Sequence, residues 1–295
     1  MVGETHTRAM KTYNDIYLST RRKLRAAGIE AHDLEARLIV AHATGKTREG
    51  LVSSGRLYVT DSTISRSVEE MIQRRLGGEP VAYIVGEWEF YGLPMVVNGS
   101  VMIPRIDTEL LAGEAIKLVR RRTGQARLID LCTGSGCIGL AVAANAPGCK
   151  VVLADNSDPA LAVCRLNMLR NNLSRNVTAI EADVLETPPA LLGMFDVIVC
   201  NPPYIPTGDL KTLDFSVREH EPLHALDGGP DGLYFFRAVV TNWPVLLKNG
   251  GNIALECGVG QAAPVREILE DGGFSNIKTH LDTLGVERVV VGTLK

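Results

Sequence analysis

The chain has 295 residues, 45% hydrophobic and 22% charged, enough for one large domain or two ordinary ones with a real core. Its formal net charge of -3, from 31 basic and 34 acidic residues, supplies no global field to recruit nucleic acid. Met1 to Tyr13 is polar and lacks the apolar stretch of a secretory signal, and no apolar run approaches a membrane span. A cytoplasmic protein with no membrane contact, and no direct nucleic-acid contact, is expected.

From about Thr5 to Gly78 the pattern is that of helices without strands. Ile16, Tyr17, Leu24 and Ala27 share one face of a helix over Thr12 to Ala27, which Gly28 ends. Asp33 is the expected cap of a second helix reaching Gly45, and Thr47 and Asp61 start two more, the last running to Gly77-Gly78. Short helices with short links predict a small bundle over residues 1–80, a scaffold or a platform for docking protein. Over 81–104 the pattern changes to short alternating runs, Trp88 to Tyr91 and Met95 to Val97, broken at Gly92-Leu93-Pro94; this reads as a β-hairpin linker.

After Ile103-Pro104-Arg105, Asp107 or Thr108 is placed to cap a helix ending near Arg122. From Ala126 onward strands and helices alternate over the domain expected at 105–295. Leu128 to Leu131, Val151 to Leu153, Val177 to Ile180, Phe195 to Cys200, Asn252 to Cys257 and Val286 to Val291 read as strands. Helices are expected over Cys137 to Ala144, Pro159 to Asn171, Gly232 to Leu246 and Ala263 to Asp271. Such alternation predicts an α/β domain with a mainly parallel sheet covered on both faces. The six cysteines all lie in this half without C-x-x-C spacing, as reduced structural thiols do, and no metal site is expected.

Two stretches carry chemistry. Gly134, Gly136 and Gly139 satisfy G-x-G-x-x-G between a strand and a helix, a context that favours ligand binding over a purely structural turn. The loop suits either a dinucleotide or an S-adenosyl cofactor. Asp155, at the end of the second strand, can accept hydrogen bonds from ribose hydroxyls in both cases. Asp130 before the loop, able to orient it or meet an ammonium, and Asp183 after the third strand, where an adenine amine could be met, favour the S-adenosyl cofactor. The second stretch is Asn201-Pro202-Pro203-Tyr204. Its prolines stop a buried strand and leave a polar amide at the sheet's carboxyl edge. A planar amide or amino nitrogen is a poor nucleophile, so methylating one requires holding its N–H groups and aiming it. The side-chain oxygen of Asn201 and the carbonyl of Pro202 can accept from an NH2 group, and Tyr204 offers a flat face.

These segments resemble the HemK/PrmC family of protein glutamine N5-methyltransferases. The likeness extends over Gly86 to Gly92, Ile103 to Glu109, the glycine loop, Asn201 to Tyr204, Glu221-Pro222 with Ala225-Leu226, Gly229 to Gly232, Leu255 to Gln261 and Asp282 to Arg288. It implies a Rossmann-like class I methyltransferase domain with a mainly parallel seven-stranded sheet, preceded by the helical bundle and hairpin. It further implies methyl transfer from S-adenosylmethionine, without a metal, to the glutamine of a Gly-Gly-Gln motif in class I peptide chain release factors. By the same resemblance Cys132, Thr133, Gly134, Ser135, Gly136, Asp155, Asp183, Val184 and Asn201 contact the cofactor. Asn201, Pro202, Pro203 and Tyr204 hold the glutamine, with Asn201, Pro202 and Tyr204 serving catalysis, and Arg105, Thr108 and Glu109 line the site or form a latch. Cys132 and Ile106 stand where the family usually has glycine and proline. The competing reading is an adenine-N6 or related nucleic-acid amino-methyltransferase, which would need a basic groove and a flipped base. A nonenzymatic binding factor and an NAD-dependent oxidoreductase fit fewer of these residues.

Overall fold

The computed structural model describes residues 10–295; the start of the expected helical run at Thr5, and most of the polar N-terminus, lie outside the described residues. The chain divides into two compact units, Met1–Gly86 and Glu87–Lys295.

In the first unit, α1 (Tyr13–Ala26) opens on a capping box in which Thr12 and Asp15 bond reciprocally. α2 (His32–Thr44) ends on left-handed Gly45, but it begins at Ala31 without a side-chain cap. The expected cap, Asp33, instead lies in the first turn, where its charge suits the helix dipole. Thr47 and Asp61 do cap α3 (Arg48–Ser53) and α4 (Ser62–Leu76). Leu24, Ala36, Ile39 and Val40 form the fully buried centre. Beside them Arg75 grips Glu35 through two bonds of 2.6 and 3.1 Å. A fifth helix, α5 (Val81–Val85), occupies residues whose β-branched character reads as strand; all five are buried, and burial overrides so weak a local preference.

The second unit opens with the hairpin β1 (Glu87–Phe90) and β2 (Leu93–Val96). Its turn is Tyr91-Gly92, both with positive φ, the two-residue geometry that matches strand twist; Leu93 and Pro94 belong to the returning strand rather than to the break. A 3-10 turn, Ile106–Thr108, leads into α6 (Glu109–Arg120), and neither Asp107 nor Thr108 caps it. Both side chains have other partners, described below.

Then follow β3 (Arg127–Leu131), α7 (Cys137–Asn145), β4 (Lys150–Asp155), α8 (Asp158–Arg170), β5 (Val177–Glu181) and β6 (Phe195–Cys200). Ser157 caps α8, its side chain accepting from Ala160 N. Next come α9 (Phe215–His220), α10 (Tyr234–Asn242), β7 (Leu247–Glu256), α11 (Ala262–Asp271), β8 (Phe274–Leu281) and β9 (Glu287–Leu294). The expected helix to Leu246 stops at Asn242, and the following turn contains Pro244. The seven strands are ordered β5-β4-β3-β6-β7-β9-β8, all parallel except β9, which runs antiparallel to β7 and β8. β8 escapes local reading because it is a polar, half-exposed edge strand without sustained apolar alternation. After β3 the chain winds outward to β5 and returns to β6 on the other side of β3. Open α/β sheets place ligands at such a reversal, beyond the carboxyl ends of the strands.

Candidate active site

At that reversal lies a cavity of about 430 Å³, within the range of small-molecule and cofactor sites. The glycine loop forms one wall. Asp130, fully buried in β3, accepts from Thr133 Oγ1 at 2.6 Å and from Gly139 N at 2.9 Å, binding the start of the loop to the first turn of α7. Burial pushes its carboxyl up to about 7, against the pull of those two bonds. Gly139 is glycine for a packing reason: a Cβ there would stand 2.2 Å from Leu153 of β4. Asp155 Oδ2 accepts from Gly134 N at 2.8 Å and Oδ1 from Ser157 N at 3.0 Å, while burial raises its carboxyl above the ordinary range.

These bonds distinguish the two cofactor classes that the glycines alone leave open. A pyrophosphate site directs loop amides at the ligand and supplies positive charge. Here the Gly134 and Gly139 amides are held by the protein's own carboxylates, and among the described residues no lysine or arginine lines the cavity. A cavity lined by the Asp155 carboxylate, without lysine or arginine among the described residues, suits a positively charged ligand with ribose hydroxyls better than a dinucleotide.

Of the residues singled out in the sequence, Cys132, Thr133, Gly134, Ser135, Asp155, Val184 and Asn201 to Tyr204 all line this cavity. Gly136 lies just behind, as the left-handed residue before α7. Asp183 does not itself line it: its carboxylate accepts from Leu185 N at 2.9 Å and from Asn156 Nδ2 at 3.1 Å, both lining residues, with Ala182 and Val184 beside them. Arg105 and Glu109 do not line it either. Arg105 binds Glu221, which also accepts from Ile103 N at 3.3 Å, and Glu109 accepts from Tyr91 N at 2.8 Å, anchoring the hairpin turn. The latch alternative thus describes Arg105, with Glu221 as its partner. Thr108 does reach the cavity. Asn156, His224 and Phe235 also line it without having been singled out; Asn156, next to Asp155, and His224, next to Ala225-Leu226, had a nearby signal.

The Asn201 to Tyr204 turn is supported from behind. Gln261 Nε2 donates to Tyr204 O at 2.9 Å, and Gln261 Oε1 accepts from Gly258 N at 2.9 Å. Gly228 and Gly232 let their loop press on the Tyr204 backbone, where a Cβ would come within 2.6 Å of its Cα and 2.4 Å of its carbonyl oxygen. Burial pushes the Tyr204 hydroxyl up to about 12, so the ring is neutral at physiological pH. Asn167, fully buried in α8, bonds to Val96 N and O at 2.6 and 3.0 Å and to Ser135 O at 2.9 Å, fixing the hairpin to the glycine loop.

The reversed parallel sheet, the carboxylate closing β4 and the Asn-Pro-Pro-Tyr turn closing β6 define a methyltransferase of the class I fold. The hMettl16 catalytic domain, solved in complex with MAT2A 3'UTR hairpin 6, shares that fold with a TM-score of 0.56 at 15% identity over 80% of this chain and 83% of that one. Family models match the PrmC N-terminal domain at residues 15–86 and the Methyltransferase small domain at 108–214. The release factor glutamine methyltransferase of Geobacter sulfurreducens is 39% identical over 275 residues, 93% of this chain and 94% of that protein. The Agrobacterium fabrum protein of the same name is 36% identical over 276 residues, 92% and 94% respectively. The chain belongs to the release factor glutamine methyltransferase family.

Proposed function

We propose that this protein methylates the side-chain amide nitrogen (N5) of the glutamine in the Gly-Gly-Gln motif of class I peptide chain release factors, in the cytoplasm. The observation that carries this reading is that the Asn201 to Tyr204 turn, the glycine loop and Asp155 open onto one cavity with no lysine or arginine among the described residues that line it. S-adenosylmethionine, bound there, supplies a methyl group on a cationic sulfur. Asp155 is the group for its ribose hydroxyls, Val184 and Leu185 the apolar contacts for its base, and the Cys132 to Ser135 loop the wall beside its amino-acid end.

The protein's own contribution is positioning. Asn201 Oδ1 and the Pro202 carbonyl accept the two N–H bonds of the acceptor amide, and the proline ring holds that carbonyl in place. Tyr204 packs against the planar group. As the nitrogen gains its methyl group it gives up one proton, which passes to water. Such positioning is worth up to roughly 7 to 11 kcal/mol of barrier in favourable cases. The helical unit is the proposed platform for the rest of the release factor.

Radiolabelled S-adenosylmethionine, offered with a release factor, its Gly-Gly-Gln to Gly-Gly-Ala variant and DNA, tests this reading. Label is expected on the intact release factor alone. Asn201→Ala should keep cofactor binding and lose about a hundredfold or more in transfer rate; label on DNA, or equal label on the alanine-motif variant, would overturn the assignment.

A further inference from the structure

A carboxamide has two ends of nearly equal shape, and only its carbonyl end can accept from an acceptor NH2 group. Turned the other way, Asn201 would set NH2 against NH2. The proline turn around Asn201 does not by itself select between the two orientations. The selection comes from the side of Asn201 facing away from the acceptor.

Asn201 Nδ2 donates to Thr108 Oγ1 at 3.4 Å, and Thr108 Oγ1 donates to Glu256 Oε1 at 3.1 Å. A hydroxyl has one proton. With that proton on the carboxylate, Thr108 offers Asn201 only a lone pair, which an NH2 group can meet and a carbonyl oxygen cannot. Glu256 is 3% exposed and its Oε2 has no partner among the described residues, so the carboxylate has little to bind except this chain. Strand register brings the three together: Cys200 pairs with Leu255, so Asn201 and Glu256 leave neighbouring parallel strands side by side. Thr108 is delivered by the 3-10 turn Ile106–Thr108, just before the helix α6 that it does not cap.

We propose that Thr108 and Glu256 are positioning residues that fix the orientation of the Asn201 amide, so that its oxygen faces the acceptor nitrogen. The inference rests on the reading of Asn201 as the acceptor clamp. The titratable groups around Glu256 are Asp107 from the turn, Arg288 from β9, Tyr204 after β6, Cys137 on α7 and Cys257 beside it, and hydrogen bonding from Thr108 and from the Asn201 side chain itself favours its charged form. Arg288, held by Asp282 at 3.2 Å and Asp107 at 3.6 Å, is the cation among them and favours the carboxylate. Burial nonetheless raises Glu256 to about 7. A protonated Glu256 could donate to Thr108, freeing that hydroxyl to donate to Asn201 and turn the amide round. The productive orientation is therefore held above about pH 7 and lost as pH falls through it.

Steady-state kinetics and calorimetric binding of a short Gly-Gly-Gln peptide, without turnover, test the proposal on the full chain. Thr108→Val should lower kcat by about ten- to a hundredfold and weaken peptide binding about tenfold, while KM for S-adenosylmethionine stays within about twofold. Thr108→Ser, which keeps the hydroxyl, should restore most of both. Glu256→Gln keeps an acceptor oxygen but cannot titrate, so it should flatten the acid limb of the kcat profile near pH 7; it also serves if Thr108→Val does not fold. Wild-type kcat and peptide affinity in Thr108→Val, or a Thr108→Ser variant as impaired as Thr108→Val, would overturn the proposal. So would an acid limb unchanged in Glu256→Gln. Full activity in Asn201→Ala would remove the clamp reading beneath it, whereas an inactive Asn201→Ala beside an active Thr108→Val would remove this inference alone.

Discussion

Cys132 departs from local backbone preference at the edge of the site. Its φ is 53°, in the left-handed region that disfavours a side chain, and Gly134 and Gly136 follow with φ of 53° and 83°. The family's usual glycine at this place has a backbone reason, and the cysteine sits there at a conformational penalty of about 1 to 2 kcal/mol. Cys132→Gly relieves that penalty but adds unfolded-state entropy, so its thermal midpoint should equal or exceed the wild type. Cys132→Val, β-branched in the same conformation, should lie lower by several degrees. A calorimetric scan of both variants checks the order, and a Cys132→Gly midpoint below that of Cys132→Val would refute it. Ile106, the other departure, is 81% exposed at the start of its turn, so the missing proline removes no packing.

Among the elements, the segment after β6 shows what several family-like motifs do. Glu221 receives Arg105 and the Ile103 amide, Gly228 and Gly232 allow close approach, and Gln261 ties the Tyr204 carbonyl to the Gly258 amide. In sequence these residues carried only a resemblance, and Gly228 not even that, because a glycine's need for space depends on which backbone lies opposite. Gln261→Leu leaves the Gly258 amide and the Tyr204 carbonyl without their partner, and should cost about 1 to 3 kcal/mol of stability. Its transfer rate should fall more than its affinity for S-adenosylmethionine, since the Asn201 to Tyr204 turn loses its support while the glycine loop does not. Denaturant midpoints and cofactor titration measure the two effects; unchanged stability would show that the tie is dispensable.

For the whole molecule, two buried carboxyls govern one part of the pH response. Asp130 rises from 3.8 and Glu256 from 4.5, both to about 7. Between those limits the folded chain binds more protons than the unfolded one, so their contribution to stability falls as pH rises from about 4 to about 7 and then levels. Asp130→Asn keeps oxygen acceptance from Thr133 and Gly139 but does not titrate. Urea midpoints taken at pH 5 and pH 8 should therefore differ less in that variant than in the wild type, with an unaltered difference counting against the burial argument. The division into two units sets a second expectation. A chain lacking residues 1–86 should still bind S-adenosylmethionine but methylate an intact release factor at least about tenfold more slowly at low substrate concentration; an equal rate would deny the helical unit a docking role.

The sequence by itself determined the element types wherever pattern and punctuation agree: four helices of the first unit, the glycine loop, and a β-branched strand stopped by two prolines. It also placed Asp155 and Asn201 at strand ends, because a strand's last residue is legible from the run before it. It left open which groups hold the loop amides: Asp130 meets Gly139 within the β3 to α7 turn itself, but Asp155 meets Gly134 only once β3 and β4 lie side by side. α5 and β8 were invisible because burial decides one and edge position the other. The chain from Asn201 through Thr108 to Glu256 crosses separations of 93 and 148 residues. No local pattern records such a partnership, since it exists through the order in which the strands are laid down and the turn that brings Thr108 over their ends.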